Sequence, residues 1–256
     1  MTEPMHVDLN GKIALVTGGG TGIGRAISQG LARCGCAVTV NFSKSDAEAN
    51  ETVEEITKAG GRAIAMPADI TDEGQVEGLI AGTCEAFGGL DILVANAGGP
   101  TKLAPTGELS REDWDTGLDL NCKGVFYCVK HAIPRFGKEF GRVIVTSSIS
   151  ARSGGGPGGL TYAASKGAVN NMIRSWAKEY GPRDITVNAI APGVIWTRLH
   201  QNMTSPQERQ NLVQRIPLGD VGEAEDCVGA TLLLASNEGR YITGQTIEIN
   251  GGMQMP

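Results

Sequence analysis

Ile13-Ala14-Leu15-Val16-Thr17-Gly18-Gly19-Gly20-Thr21-Gly22-Ile23-Gly24 joins a short apolar run to a glycine-rich turn. Ile13 to Thr17 has the length and composition of a buried strand. The glycines follow it directly, and a helix is expected to begin near Ile23. Glycine lets a backbone approach a phosphate closely, and the free N–H groups of a helix start favour an anion. The spacing G-x-G-x-x-G does not fit, because every register meets a non-glycine at its second or third glycine. The register that fits is Gly18-x-x-x-Gly22-x-Gly24, with Gly20 and Thr21 inside the turn.

Working outward, six more short apolar runs read as strands: Ala37 to Asn41, Ala63 to Met66, Ile92 to Ala95, Val143 to Thr146, Thr186 to Ala191 and Thr246 to Asn250. Helical stretches alternate with them, at about Asp72 to Phe87, Arg111 to Phe136, Tyr162 to Tyr180 and Ala224 to Ala235. Ser45-x-x-Glu48, Ser110-x-x-Asp113 and Ser205-Pro206-x-Glu208 mark helix starts. Strands alternating with helices give an α/β fold, a doubly wound parallel sheet with helices on both faces. The chain has 256 residues with no linker or repeat, so one domain is expected.

The formal net charge is −6 and the basic residues are scattered, which argues against nucleic acid as a partner. No apolar run reaches the roughly 20 residues of a membrane helix, and Met1 to Asn10 is polar. Six cysteines show no metal-ligand spacing, so no metal is expected and they read as small buried hydrophobes. A cytoplasmic protein is expected.

Chemistry gathers at the carboxyl ends of the strands, where such sheets bind ligands. The second strand ends in Asn41-Phe42-Ser43-Lys44, with no acid before Asp46. In dinucleotide-binding sheets an acid here holds the ribose hydroxyls. Ser43 and Lys44 suit a 2′-phosphate instead, or Lys44 is a solvated loop lysine. The fourth strand ends in Asn96-Ala97-Gly98-Gly99. Asn121 sits mid-helix among apolar neighbours and needs a hydrogen-bond partner; His131 reads as a helix-face residue. The fifth strand runs into Ser147-Ser148-Ile149-Ser150 and the loop Gly154-Gly155-Gly156-Pro157-Gly158-Gly159. Tyr162 and Lys166, four apart, share a helix face. A phenol has a pKa of roughly 10, and an ammonium one turn away is expected to lower it. The plain alternative is a surface pair.

Taken together and in this order, Thr17-Gly18-x-x-x-Gly22-Ile23-Gly24, Asn96-Ala97-Gly98, Asn121, Ser147-Ser148, Tyr162-x-x-x-Lys166 and Val187-Asn188-x-Ile190-x-Pro192-Gly193 resemble the short-chain dehydrogenase/reductase family, including its 3-ketoacyl reductase-like members. The resemblance implies a seven-stranded Rossmann-like sheet and hydride transfer between a nicotinamide cofactor and a carbonyl or alcohol. It implies Tyr162 as general acid/base and Lys166 as the residue that binds the nicotinamide ribose and tunes Tyr162. Ser148 would polarise the substrate oxygen, with Ser147 and Ser150 as alternatives, and Asn121 would anchor a water. Gly18, Gly20, Thr21, Gly22, Ile23 and Gly24 would meet the pyrophosphate, Ser43 and Lys44 the 2′-phosphate, and Asp69 and Ile70 the adenine. Asn96, Ala97 and Gly98 would lie beside the adenosine ribose, and Pro192, Gly193, Ile195 and Thr197 beside the carboxamide.

NADP is expected over NAD. A lid over 194–215 and a pocket from Leu160, Trp196, Leu199, His200 and Met203 are expected, with Arg152 as either a solvated loop arginine or a cation for a substrate carboxylate. The helices around Asn121 and Tyr162 carry apolar surplus, which with the resemblance suggests a homotetramer. Gly137-Lys138-Glu139-Phe140 has no net positive charge, so steering of an acidic carrier protein is expected to be weak. The expected substrate is therefore a free small ketone or secondary alcohol. The alternatives are a 3-ketoacyl thioester, an NAD-dependent sugar or polyol oxidation, and a non-catalytic dinucleotide-binding regulator.

Overall fold

Side chains alternate across a strand, so a run that is apolar at every position must be covered on both faces. β1 (Ile13–Val16) is such a run. In the computed structural model, which describes residues 7–138, 140–197 and 205–255, it lies near the middle of a seven-stranded parallel sheet. The other strands are β2 (Ala37–Phe42), β3 (Arg62–Pro67), β4 (Ile92–Ala95), β5 (Gly141–Thr146), β6 (Ile185–Pro192) and β7 (Thr246–Ile249). Their spatial order is β3-β2-β1-β4-β5-β6-β7. The order reverses between β1 and β4, which opens a crevice at their carboxyl ends.

Each face carries its own core. Leu15, Leu93, Val143, Val145 and Val187 point to one side, under α3 (Glu73–Phe87), α5 (Gly124–Ala132) and α7 (Leu160–Tyr180). Ala14, Val16, Ile92, Val94 and Ile144 point to the other, under α1 (Gly22–Arg33), α2 (Asp46–Lys58) and α9 (Asp226–Ala235). The remaining helices are α4 (Arg111–Leu118), α6 (Ser150–Ser153) and α8 (Pro206–Val213). Among the described residues no helix is long and apolar enough to cross a membrane, and no group of metal-ligating side chains forms.

Three local expectations are corrected. Ser110 and Ser205 form capping boxes, but Ser45 makes no cap bond: at φ −101°, ψ 57° its backbone lies outside the extended region that sets a cap hydroxyl over the first turn. The helix expected over Arg111 to Phe136 is broken by a π-turn at Asp119–Lys123, around Asn121. The apolar surplus for a partner subunit is also smaller than expected. Val125, Val129, Ile133, Val169 and Ile173 are buried in the chain's own core, whereas Phe126 is exposed.

Arg142 on β5 is buried although it is charged. Its guanidinium donates to the carbonyls of Gly141 (2.9 Å), Asp184 (3.1 Å) and Ser236 (3.3 Å) and lies 4.1 Å from the Phe140 ring centre. It thereby joins β5 to the chain entering β6 and the chain leaving α9. Arg142→Met keeps the bulk and strands those carbonyls, so unfolding stability in urea should fall by roughly 2–4 kcal/mol. An unchanged midpoint would deny the guanidinium a structural role.

Candidate active site

The glycine turn after β1 has its conformation for two reasons. Gly18 (φ 61°) and Gly22 (φ 49°) adopt left-handed backbone that other residues resist. Gly20 and Gly24 are packed too closely for a side chain. A Cβ on Gly20 would lie 2.7 Å from Ala49 of α2, and one on Gly24 would overlap the Gly18 carbonyl and lie 2.6 Å from Asn96 Nδ2. The turn delivers α1, whose N-cap Thr21 makes no side-chain cap bond and whose first turn holds no acid. Its first N–H groups are thus left without the usual internal anion, which fits a phosphate.

The turn floors a cleft of about 830 Å³. Asn96 fixes its inner wall. The amide Nδ2 donates to the carbonyls of Thr17 (3.0 Å) and Gly18 (3.4 Å), and Oδ1 accepts from Thr146 Oγ1 (3.1 Å). Lys166 is buried beside it and donates Nζ–H to the Thr146 carbonyl at 2.7 Å. No carboxylate pairs with Lys166 among the described residues, and burial pushes its ammonium down to about 8. An ammonium has three donors, so this site has hydrogen-bonding capacity suited to a ligand hydroxyl.

Tyr162 lies one turn from Lys166 on α7, with the ammonium 5.7 Å from its ring centre. The expected lowering of its pKa is not found. Burial raises it, and a hydrogen bond with the Ser148 side chain works in the opposite direction. One of the three Lys166 N–H groups is committed to a backbone carbonyl. All three serines line the cleft but differ in their bonds. Ser147 Oγ donates to buried Asn170 Oδ1 at 2.7 Å. Ser148 lines the cleft beside Tyr162, and Ser150 N–H donates to Ser148 Oγ at 3.1 Å. Asn121, fully buried, accepts from Gly99 N–H (2.8 Å) and donates to the carbonyls of Gly99 (2.9 Å) and Gly117 (3.0 Å). Only Gly98 stands between it and Lys166: a Cβ there would lie 2.7 Å from Asn121 Oδ1 and 3.3 Å from Lys166 Nζ.

Of the residues singled out from sequence, the cleft gathers Gly18, Gly20, Thr21, Gly22, Ile23, Gly24, Asn96, Ala97, Gly98, Ser147, Ser148, Ser150, Tyr162, Lys166, Pro192, Gly193, Ile195, Trp196 and Thr197. Others lie off its wall. Ser43 and Lys44 are exposed past the end of β2. Asp69 Oδ1 accepts from Thr71 N–H and Oγ1 (2.9 and 2.8 Å), and Ile70 is buried against Gly124. Leu160 is exposed at the start of α7. Arg152 is not a free cation at the pocket: its Nε lies 3.5 Å from Glu248 Oε1 of β7. Leu199, His200 and Met203 lie outside the described residues.

Sequence reasoning missed Arg25, Glu48, Leu103, Gly155, Gly156 and Pro157, all of which line the cleft. Arg25 directly follows Gly24, and that adjacency was a usable signal. Glu48 was read only as a helix-capping residue. Leu103 had no local signature; its position follows from the Ala104 N–H bond to the Gly158 carbonyl (3.2 Å), which joins two distant loops.

Comparison with known proteins bears on this geometry. A family model described as enoyl-(acyl carrier protein) reductase matches residues 18–254. The chain is 39% identical over 244 residues to 3-oxoacyl-(acyl-carrier-protein) reductase FabG of Staphylococcus aureus (strain Mu50), covering 95% of this chain and 98% of that one. It is 37% identical to hydroxynaphthalene reductase-like protein Arp2 of Metarhizium majus, covering 98% of each. The solved structure of a short-chain dehydrogenase from Burkholderia cenocepacia J2315 in complex with NADP superposes with a TM-score of 0.90 at 36% identity, over 96% of this chain and 98% of that one. With the sheet order and the cleft already described, these matches establish that the chain belongs to the short-chain dehydrogenase/reductase family, oxidoreductases that act on CH–OH groups.

Proposed function

We propose that the protein transfers a hydride between NADP(H) and a small uncharged ketone or secondary alcohol, with Tyr162 as general acid/base. The observation that carries this reading is the cleft wall that brings Ser148 and Tyr162 together, with buried Lys166 one helical turn behind Tyr162. Gly18, Gly20, Thr21, Gly22, Ile23 and Gly24 would hold the pyrophosphate, Lys166 the nicotinamide ribose, and Pro192, Gly193, Ile195 and Thr197 the carboxamide. The bound nicotinamide would supply the hydride. Ser148 holds the substrate oxygen by its hydroxyl and Tyr162 gives that oxygen a proton. Asn121, clasped to Gly99, keeps the Gly98 wall beside Lys166 and so fixes where the ammonium sits.

Ser43 and Lys44 at the end of β2 support NADP(H) over NAD(H). No acid stands there to repel a 2′-phosphate, and a lysine within a loop's reach can pair with it. The relative bound to NADP agrees. Among the described residues the charged groups lining the cleft are Arg25, Glu48 and Lys166, and neutral residues such as Leu103, Pro157 and Trp196 line it with them. This supports an uncharged substrate. Reduction of a 3-ketoacyl thioester is the second reading, favoured by the named reductase relative.

Tyr162→Phe should lower kcat by ~10²–10⁴-fold and leave cofactor affinity, read by nicotinamide fluorescence, nearly intact; substantial residual turnover overturns the assignment. Lys166→Ala should damage both. For pH, Lys166 is charged below about 8 and neutral above it. kcat/KM for reduction should therefore fall as pH rises through that value, and a profile flat well beyond it would remove the ammonium from the mechanism. For the cofactor, Lys44→Ala should lower kcat/KM with NADPH by ~10-fold and spare NADH, whereas an NADH preference in the unaltered protein would reverse the assignment.

A further inference from the structure

Gly117 is a buried glycine inside a helix, α4. Its backbone is not left-handed, so no dihedral angle asks for glycine there, and glycine is a poor helix former. Packing supplies the reason. A Cβ on Gly117 would overlap Thr161 Cγ2, and would lie 3.2 Å from Thr161 Cβ and 3.1 Å from Thr101 Oγ1. Through this glycine α4 rests on the first turn of α7.

Thr161 is equally unusual. It is buried, it directly precedes Tyr162, and its hydroxyl has no hydrogen-bond partner among the described residues. A buried hydroxyl left unpaired is unfavourable, so the polar end of this side chain does not explain it. Its methyl is the group that meets Gly117. Tyr162 lines the cleft and Thr161 does not, which puts the contact on the packed side of α7. The α4 end of the contact is tied to the site as well. The Gly117 carbonyl accepts Asn121 Nδ2 at 3.0 Å, and Cys122 Sγ of the same π-turn lies 3.5 Å from Met172 Sδ of α7.

We infer that Gly117 and Thr161 are positioning residues. The methyl of one, seated on the bare backbone of the other, sets how far the first turn of α7 stands from the Asn121 turn, and so where Tyr162 presents its phenol. The inference rests on the reading of Tyr162 as general acid/base. A methyl added at 117 moves Thr161, and Tyr162 moves with it because the two are adjacent in one helix. Lys166, a turn further on, stays held by the Thr146 carbonyl. The shift therefore falls on proton transfer more than on cofactor binding, and a misplacement of about 1 Å can cost ~10²-fold in rate.

The test compares the unaltered protein with Gly117→Ala, Thr161→Ala, the double variant and Thr161→Val. Two readouts are taken: the nuclear magnetic resonance of Tyr162 in protein isotope-labelled at tyrosine Cζ, assigned by its loss in Tyr162→Phe, and kcat and KM with NADPH and ethyl acetoacetate. Gly117→Ala should move the Tyr162 resonance but not that of exposed Tyr241, and should lower kcat by ~10–100-fold with the KM for NADPH little changed. The double variant, which lacks Thr161 Cγ2, should regain both. Thr161→Val keeps the methyl and drops the hydroxyl, so its Tyr162 resonance should stay in place. A resonance unmoved by Gly117→Ala, a double variant no better than the single one, or a resonance moved by Thr161→Val overturns the inference. Should Gly117→Ala alone fail to fold, recovery of folding in the double variant is the same rescue, and its absence overturns the inference. A resonance that moves and is rescued while kcat stays constant upholds the steric pair and overturns the reading of Tyr162. The resonance decides the inference even if ethyl acetoacetate is not turned over.

Discussion

The carboxyl ends of β1, β4 and β5 meet at the side chain of Asn96. Its amide donates to two carbonyls at the end of β1, and its oxygen accepts the Thr146 hydroxyl at the end of β5. Thr17 Oγ1 returns the contact by accepting the N–H groups of Asn96 and Ala97, both at 3.0 Å. An apolar side chain at 96 would take this partner from the Thr17 and Gly18 carbonyls and the Thr146 hydroxyl at the point where the sheet opens. The packing of Gly24 follows, because its backbone must pass close to that amide. Thr146 then carries the order onward, since its carbonyl receives the Lys166 ammonium. The glycine turn and Lys166 are thus linked through three hydrogen bonds.

A second clasp works across the helix layer. Asn121 Nδ2 donates to the carbonyl of Gly117, four residues back, where a regular helix would place a backbone donor. The π-turn at Asp119–Lys123 contains this residue. π-turns recur at functional sites because they redirect one side chain without ending the helix. Here the redirected amide grips Gly99 from both sides and holds the loop after β4 against Lys166.

The sheet was legible because its strands are short, uniformly apolar and separated by helical stretches; all seven lie within a residue or two of their sequence-read limits. The cleft residues at or just past strand ends, such as Gly18, Asn96, Ser148 and Gly193, were legible for the same reason: strand ends have a fixed address. What the sequence did not carry was side-chain direction off the strands. Nothing local distinguished Ser147 from Ser148, because their difference is that one meets Asn170 across the core. Arg152 looked free because its partner Glu248 is 96 residues away, on β7. The π-turn was hidden because Leu118, Leu120, Val125 and Phe126 continue an ordinary helical pattern through it. Ser45 had the residue types of a cap but not the backbone angles.

Burial at the site acts in opposite directions on its two key groups. It raises the Tyr162 phenol and lowers the Lys166 ammonium, because each loses solvation in its charged form. For Lys166 the folded value of about 8 lies below the ordinary 10.5. The unfolded chain therefore holds more protons between those values, and stability rises with pH across that window; below it, the buried charge costs roughly 3 kcal/mol. A fold free to optimise stability alone would place an apolar side chain there. Keeping an ammonium without a carboxylate leaves a positive charge that a ligand oxygen can use, while a neutral phenol beside it keeps its proton. The same burial that makes the pair costly thus keeps a lone ammonium and a protonated phenol together in the cleft.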